Sequence, residues 1–328
     1  MKILIVKLSA LGDVIHAFPA IAYLRATYPD ALIDWVVEKG ASMLVEAHPD
    51  IRKVIVVDTK TFRRTWKAAA LALPEVQHEM YDLCIDLQGN TKSALFTFWA
   101  RAREKIGYGF KTAPEWLNPL VTHHRVNPPK GHNIRDDLVY IASQGKMHTF
   151  TPPPLLLKGH EPVLADHGPK ILVAPGSQWT NKCLELSTLI PFLKEIEGYF
   201  YLTWGSPQER DLVAKIQAEL PERSEIVERL SLPNLQRLMS KMDQVIAMDS
   251  LPLHLGATTG VPTFSIFGPS LAHKYKPVGP LHVAYQGSCP YGRTFEKRCP
   301  ILRTCSTGAC MRALTAEQLK KSWTQKKL

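Results

Sequence analysis

Ile3 to Val6 is an unbroken aliphatic run. It is followed at once by a turn of small residues from Leu8 to Gly12 and by an apolar helical pattern from Val14 onward. A half-exposed strand would alternate polar and apolar side chains, whereas an unbroken run needs cover on both faces, which a parallel sheet between helices provides. The run therefore predicts the first, central strand of an open α/β sheet, and such sheets bind ligands beyond the carboxyl ends of their strands. Asp13 is the one carboxylate in this stretch and stands where loop becomes helix. Two roles are open to it: cap of the helix, or a carboxylate directed into a cleft as a general base. Pro19 removes a helical hydrogen bond, so the helix either kinks there or starts afresh.

The same strand, loop and helix sequence recurs along the chain. In the first half, strands are expected over 31–37, 54–57, 81–89 and 105–109, and helices over 62–73, 91–101 and 133–143. Residues 110–133, with three His and four Pro, read as loop. Thr151 to Pro154 (TPPP) can continue neither helix nor sheet and marks a stiff linker. The pattern then restarts, with strands expected at 170–174, 198–204, 225–227, 244–248 and, as the last clear one, 261–267. Thr315 and Gln318 form a capping box for a basic tail helix. The 328 residues thus divide into an α/β domain over 1–151, a second over 155–314 and a helix over 315–328, a length that suits two cores rather than one.

The net charge of +10 points to an anionic partner. The excess is concentrated. Residues 293–328 hold nine Lys or Arg against two acids, and Lys60, Arg63, Arg64 and Lys67 form a second cluster. Aromatic residues are not interleaved with these clusters as stacking platforms for bases would require, so a nucleic-acid partner is not expected. There is no run of eighteen apolar residues, and Met1 leads straight into a strand rather than a signal peptide. A cytoplasmic protein, at most peripheral to a membrane, is expected. Of six cysteines, Cys289, Cys299, Cys305 and Cys310 crowd the tail without a Cys-x-x-Cys pair. Their spacing matches zinc sites poorly and suits loop thiols or a redox-sensitive pair better.

Three strand ends of the second half carry polar residues suited to one ligand. Ser177, Thr180 and Lys182 lie in a glycine-containing loop that opens toward a helix and offers a diphosphate N–H groups, hydroxyls and a positive charge. Glu209 stands at a helix start after the next strand. Met248, Asp249 and Ser250 end a third strand, with His254 five residues after Asp249. Singly these read equally well as a turn, a dipole partner and a core histidine; together they favour a site.

Residues 6–19 (VKLSALGDVIHAFP), 34–38 (DWVVE) and 85–89 (IDLQG) with Lys92 and Ser93 together resemble the bacterial lipopolysaccharide heptosyltransferases, glycosyltransferase family 9. The similarity runs from Ile3 to about Pro269. The resemblance implies a GT-B architecture: α/β, two Rossmann-like domains facing a central cleft, with the acceptor on the first and the nucleotide sugar on the second. It implies Asp13 as catalytic base, Lys182 with Ser177 and Gln178 at the donor diphosphate, and Glu209 on the nucleotide side. Asp249, Ser250 and His254 would lie at the diphosphate and sugar, with Leu251 where the family has glycine. Arg63, Arg64 and Lys67 would contact an anionic acceptor, and Ser9 and Gln88 are candidate acceptor contacts beside them. The implied reaction is inverting transfer of L-glycero-D-manno-heptose from ADP-heptose to Kdo of Kdo-lipid A on the inner face of the inner membrane, with no cofactor or metal. The basic tail helix is expected to rest on that anionic membrane face. The competing readings are a relative with another acceptor or nucleotide sugar, and a basic anion-binding protein without turnover.

Overall fold

The structure is a computed structural model and describes residues 1–58, 73–164 and 167–325. Arg63, Arg64, Lys67 and the helix expected from Phe62 lie outside the described residues. The chain forms two compact units, Met1–Pro153 and Pro154–Leu328.

In the first unit, β1 (Lys2–Val6) pairs in parallel with β2 (Leu32–Glu38) on one side and β4 (Tyr81–Asp86) on the other. With β3 (Ile51–Val57), β5 (Ala102–Tyr108) and β6 (His124–Val126) the sheet runs β3-β2-β1-β4-β5-β6. Ile3 to Val6 are wholly inaccessible, as an apolar central strand covered on both faces must be. The helical stretch after β1 divides into α1 (Leu11–His16) and α2 (Phe18–Thr27). Pro19 sits in the first turn of α2, where its missing N–H leaves no bond unmade, so the helix starts afresh rather than kinking. Among the described residues the unit also holds α3 (Ser42–Glu46), α4 (Thr91–Trp99) and α5 (Ile134–Ala142).

The second unit repeats the plan. Its strands are β7 (Lys170–Ala174), β8 (Tyr199–Leu202), β9 (Ser224–Ile226), β10 (Gln244–Met248), β11 (Thr263–Phe267) and β12 (His282–Gln286), all parallel, in the order β12-β11-β10-β7-β8-β9. Their helices include α6 (Leu186–Lys194), α7 (Pro207–Glu219), α8 (Leu232–Met239), α9 (Leu251–Ala257), α10 (Ala272–Tyr275), α11 (Ala309–Arg312) and α12 (Ala316–Thr324). In both sheets the strand order reverses beside the first strand of the unit, between β1 and β4 and between β7 and β10, which is where open α/β sheets bind ligands. Two strands depart from the sequence reading: β6 lies within the presumed loop and β12 follows the presumed last strand. Both are edge strands, and β12 is only partly buried, so neither carries the apolar run that marks a central strand. The tail helix α12 is part of the second core: Leu319 and Trp323 pack with Phe192 of α6 and Phe264 of β11.

The amino ends of the first sheet are joined by one polar network. The Asp34 carboxylate, fully buried on β2, accepts from Arg52 Nε (2.9 Å) and Nη2 (2.5 Å) on β3 and from the Tyr81 hydroxyl (2.9 Å) on β4. Arg52 and Lys2 also pair with Glu79. The Lys2 hydrogen bond, then Arg52, lowers the Glu79 carboxyl to about 2. Arg52→Ala would strand the buried Asp34 carboxylate with one donor, and should cost about 2–3 kcal/mol in urea unfolding, less than a fully buried pair because Arg52 is partly exposed. Because the folded-state pKa of Glu79 is depressed, its contribution is present above the ordinary carboxylate range and fades as pH falls through the native value. The acid-side loss of stability should therefore shrink in Arg52→Ala.

Candidate active site

Beyond the carboxyl end of β1, residues 7–10 are pinned from β4. Gln88 Oε1 accepts from the backbone N–H groups of Leu8 (3.1 Å) and Ser9 (3.2 Å). Gln88 is itself held by Asp86, which is fully buried: one carboxylate oxygen accepts from the N–H groups of Gln88 and Gly89 (both 2.9 Å), the other from Thr97 Oγ1 (3.0 Å) and Asn118 Nδ2 (2.7 Å). The side-chain oxygen of Gln88 thus shapes the loop that carries Ser9.

Asp13 is the third residue of α1 and not its N-cap, which is Ala10. Its Oδ2 accepts from Ala10 N at 3.3 Å and the residue stays partly exposed, so it combines a local hydrogen bond with access to a ligand. Sequence reasoning passed over Lys7. Its side chain is buried and donates to Leu87 O at 3.1 Å. Burial pushes the ammonium pKa down, while the negative charges of Asp13 and Asp86 act to raise it. The available signal was a lysine directly after the apolar run Ile3–Val6, in the segment that leads to Gly12 and Asp13.

In the second unit the strand ends converge as the sequence pattern suggested. Lys182, in a single 3-10 turn (Thr180–Lys182) after β7, places Nζ 2.5 Å from Asp249 Oδ2 at the end of β10. His254 Nε2, on α9, lies 3.5 Å from Asp249 Oδ1. All three side chains are buried. Burial alone would raise the Asp249 pKa, but the His254 hydrogen bond and the Lys182 charge outweigh it and hold the carboxyl well below the usual carboxylate range. The loop after β8 approaches the loop after β7 at Gly176. Glu209 Oε2 accepts from the N–H groups of Gly205 (2.7 Å) and Ser206 (3.2 Å), closing a capping box at the start of α7. Its other oxygen lies over Gly176, where a Cβ would stand 2.2 Å from it, so only glycine permits the approach.

Other expected residues are placed differently. Ser250 is the N-cap of α9 and Leu251 its first residue. Gln178 and Thr180 are exposed and Ser177 is half-buried. Met248 is fully buried, and its side chain packs in the core of the unit.

A family model described as glycosyltransferase family 9 (heptosyltransferase) matches residues 72–304. The chain belongs to glycosyltransferase family 9. It is 30% identical to lipopolysaccharide heptosyltransferase 1 of Pseudomonas aeruginosa, over 82% of this chain and 79% of that one. Its fold is that of the E. coli heptosyltransferase WaaC solved with ADP (TM-score 0.79, 22% identity, 99% of this chain and 100% of that one). WaaC solved with ADP-2-deoxy-2-fluoro heptose is similar too (TM-score 0.77, 22% identity, 99% of each chain). The α/β, GT-B fold class expected from the sequence is the one found.

In this glycosyltransferase the cysteine-rich tail is attached to the loop after β7. Asn181 Nδ2 donates to Leu302 O (3.0 Å) and Cys305 O (2.8 Å), and Arg303 lies 4.8 Å over the Trp179 ring. Cys289, Cys299, Cys305 and Cys310 line one small pocket as free thiols. Burial, then neighbouring Cys289 and Cys305, pushes Cys310 up to about 11, whereas hydrogen bonds from Thr307 and the Gly308 N–H pull Cys305 down. Among the described residues no group of three or more His, Cys, Asp or Glu is placed to hold a metal ion.

Gln88→Ala would leave two amides of the β1 loop without an acceptor. It should cost about 1–2 kcal/mol in urea unfolding. Hydrogen exchange should speed up at Leu8 and Ser9 but not at Leu4 or Ile5, whose amides stay in the ladder.

Proposed function

We propose that this glycosyltransferase moves L-glycero-D-manno-heptose from ADP-heptose to a Kdo residue of lipid-linked lipopolysaccharide inner core, with inversion, at the membrane face that carries the acceptor. The observation that carries the reading is the buried Lys182–Asp249–His254 cluster at the switch point of the second sheet. An ADP diphosphate needs a fixed cation and N–H donors. Lys182 supplies the first, held in place by Asp249, and the loop after β7 supplies the second. Glu209, already fixed against Gly176, would meet the nucleoside end, with Ser177, Gln178, Thr180 and Ser250 as further polar contacts. The named relatives support this choice of donor: one is a lipopolysaccharide heptosyltransferase 1, and WaaC has been solved with ADP and a fluorinated ADP-heptose.

As the anomeric carbon–oxygen bond breaks, negative charge grows on the departing ADP, and Lys182 offsets it. The acceptor hydroxyl is a poor nucleophile until a base takes its proton, and Asp13 is the base in this reading. Ser9 and Gln88 would shape the acceptor side of the site. Arg63, Arg64 and Lys67, by resemblance, would neutralise the acceptor's phosphate and carboxylate groups.

Lys182→Ala should weaken ADP binding by roughly 1.5–3 kcal/mol in calorimetry. It also leaves Asp249 as a buried anion with His254 but no lysine facing it, which repels diphosphate. Lys182→Ala combined with Asp249→Asn should therefore bind ADP more tightly than Lys182→Ala alone. The reverse order would remove the pair from the donor site. Asp13→Asn keeps the size of the side chain and its local hydrogen bond but not its basicity. The kcat for heptosyl transfer should fall by about 10² to 10⁴ with ADP binding and stability nearly unchanged; turnover near the wild-type rate would return Asp13 to a purely structural role.

A further inference from the structure

Large apolar side chains are exposed on one part of the first unit: Phe98 (60%), Phe110 (54%), Trp116 (70%), Leu117 (37%) and Leu120 (56%). They lie at the end of α4, just after β5 and in the segment leading into β6, at the β5–β6 edge of the sheet. Phe98 lies at the end of α4, and Lys105 of β5 donates to Phe98 O (2.6 Å) with its ammonium 5.9 Å from the ring centroid. Backbone pairing of His123 N with Lys105 O (2.8 Å) brings in the approach to β6. Arg125 of β6 donates to Pro119 O (2.7 Å) in the turn that carries Leu120, and its guanidinium lies 5.2 Å over the Phe110 ring. Glu115 accepts from Thr91 N (2.9 Å), which ties the Trp116 loop to the start of α4.

The surface is also basic. Residues 98–130 contain six Lys or Arg against two acids, Glu104 and Glu115, the latter already engaged by Thr91. Arg103 spends part of its charge on Asp82 (3.4 Å). A group of large exposed apolar side chains on neighbouring segments of one edge marks a contact site. Aromatic and aliphatic groups set among cations suit the interface of an anionic bilayer, where rings sit at headgroup depth and each cation adds attraction. Single-stranded nucleic acid fits less well, because the Phe98 and Phe110 rings already carry cations and two of the five apolar groups are leucines. The tail helix expected to meet the membrane is a poorer candidate. Its apolar side, Leu319 and Trp323, is buried in the second core, and Lys320 is paired with Glu195.

We propose that the face formed by Phe98, Phe110, Trp116, Leu117 and Leu120, with Lys105 and Arg125, docks this protein on an anionic lipid bilayer. The face begins beside the candidate acceptor site: a Cβ on Gly89 would stand 2.5 Å from Pro114, two residues before Trp116. A lipid-anchored acceptor would then be presented at the edge of the docked surface, and in that respect the inference rests on the proposed function.

The test is flotation of the full chain with vesicles of phosphatidylethanolamine and phosphatidylglycerol, and with phosphatidylcholine alone. Binding to the first, weakened by salt and nearly absent with the second, is expected. Trp116→Glu with Leu120→Glu, both exposed and so tolerated by the fold, should lower partitioning on the order of tenfold or more with an unchanged melting temperature. Lys320→Glu with Lys321→Glu should leave it near wild type. Wild-type protein that ignores anionic vesicles overturns the proposal, as does a Trp116/Leu120 variant that still binds them. It is also overturned if that variant's only defect is lost self-association or lost binding to single-stranded DNA. A water-soluble, deacylated Kdo acceptor separates the two readings: the variant should still transfer heptose to it. Wild-type protein that docks through this face but transfers no heptose would overturn the proposed function and leave the docking face standing.

Discussion

The two central strands, β1 and β7, are buried on both faces, and this confines where polar chemistry can stand. Within a covered parallel sheet every backbone N–H and C=O is used by the ladder, and an unpaired polar side chain there is costly to bury. Charged groups are therefore driven to the strand ends. The amino ends of the first sheet take the Arg52–Asp34–Tyr81 network, which joins β2, β3 and β4. The carboxyl ends, where strand order reverses, take Asp86 with Gln88 in the first unit and Lys182 with Asp249 and His254 in the second.

The two units meet the same constraint with different chemistry. In the first, the buried Asp86 carboxylate is neutralised mainly by uncharged donors: two backbone amides, a hydroxyl and an amide side chain. A carboxylate so supplied is a rigid post, and it sets the loop that carries Gln88 and, through it, Leu8 and Ser9. In the second, the buried Asp249 faces a lysine and a histidine instead. Such a cluster holds its lysine in one position while leaving a charged assembly able to respond to an incoming anion.

Local chemistry was enough to place the central strands. Ile3–Val6 and Lys170–Ala174 are short apolar runs whose meaning hardly depends on the rest of the chain, and the proline-rich segment at 151–154 stands close to where the chain divides into two units. The residues at the strand ends of the second half, Lys182, Glu209, Asp249 and His254, were also visible as a recurring pattern. Edge strands were not: β6 and β12 have few apolar residues to signal them, because an edge needs less cover. Burial of Met248 was not legible either, because a residue at the end of an apolar strand reads the same whether it faces the core or the open end.

What the sequence alone determined is the order of elements and the residue types at each strand end, because both follow from periodicity and turn chemistry over a few neighbours. What the tertiary structure decided is which of those residues meet. Asp249 finds Lys182 at a separation of 67 positions, and Gln88 finds Leu8 at 80. Glu209 comes to lie over Gly176, and Lys7 comes to be buried within the field of Asp13 and Asp86. These pairings depend on strand register and on the point at which strand order reverses, and no short-range preference encodes either.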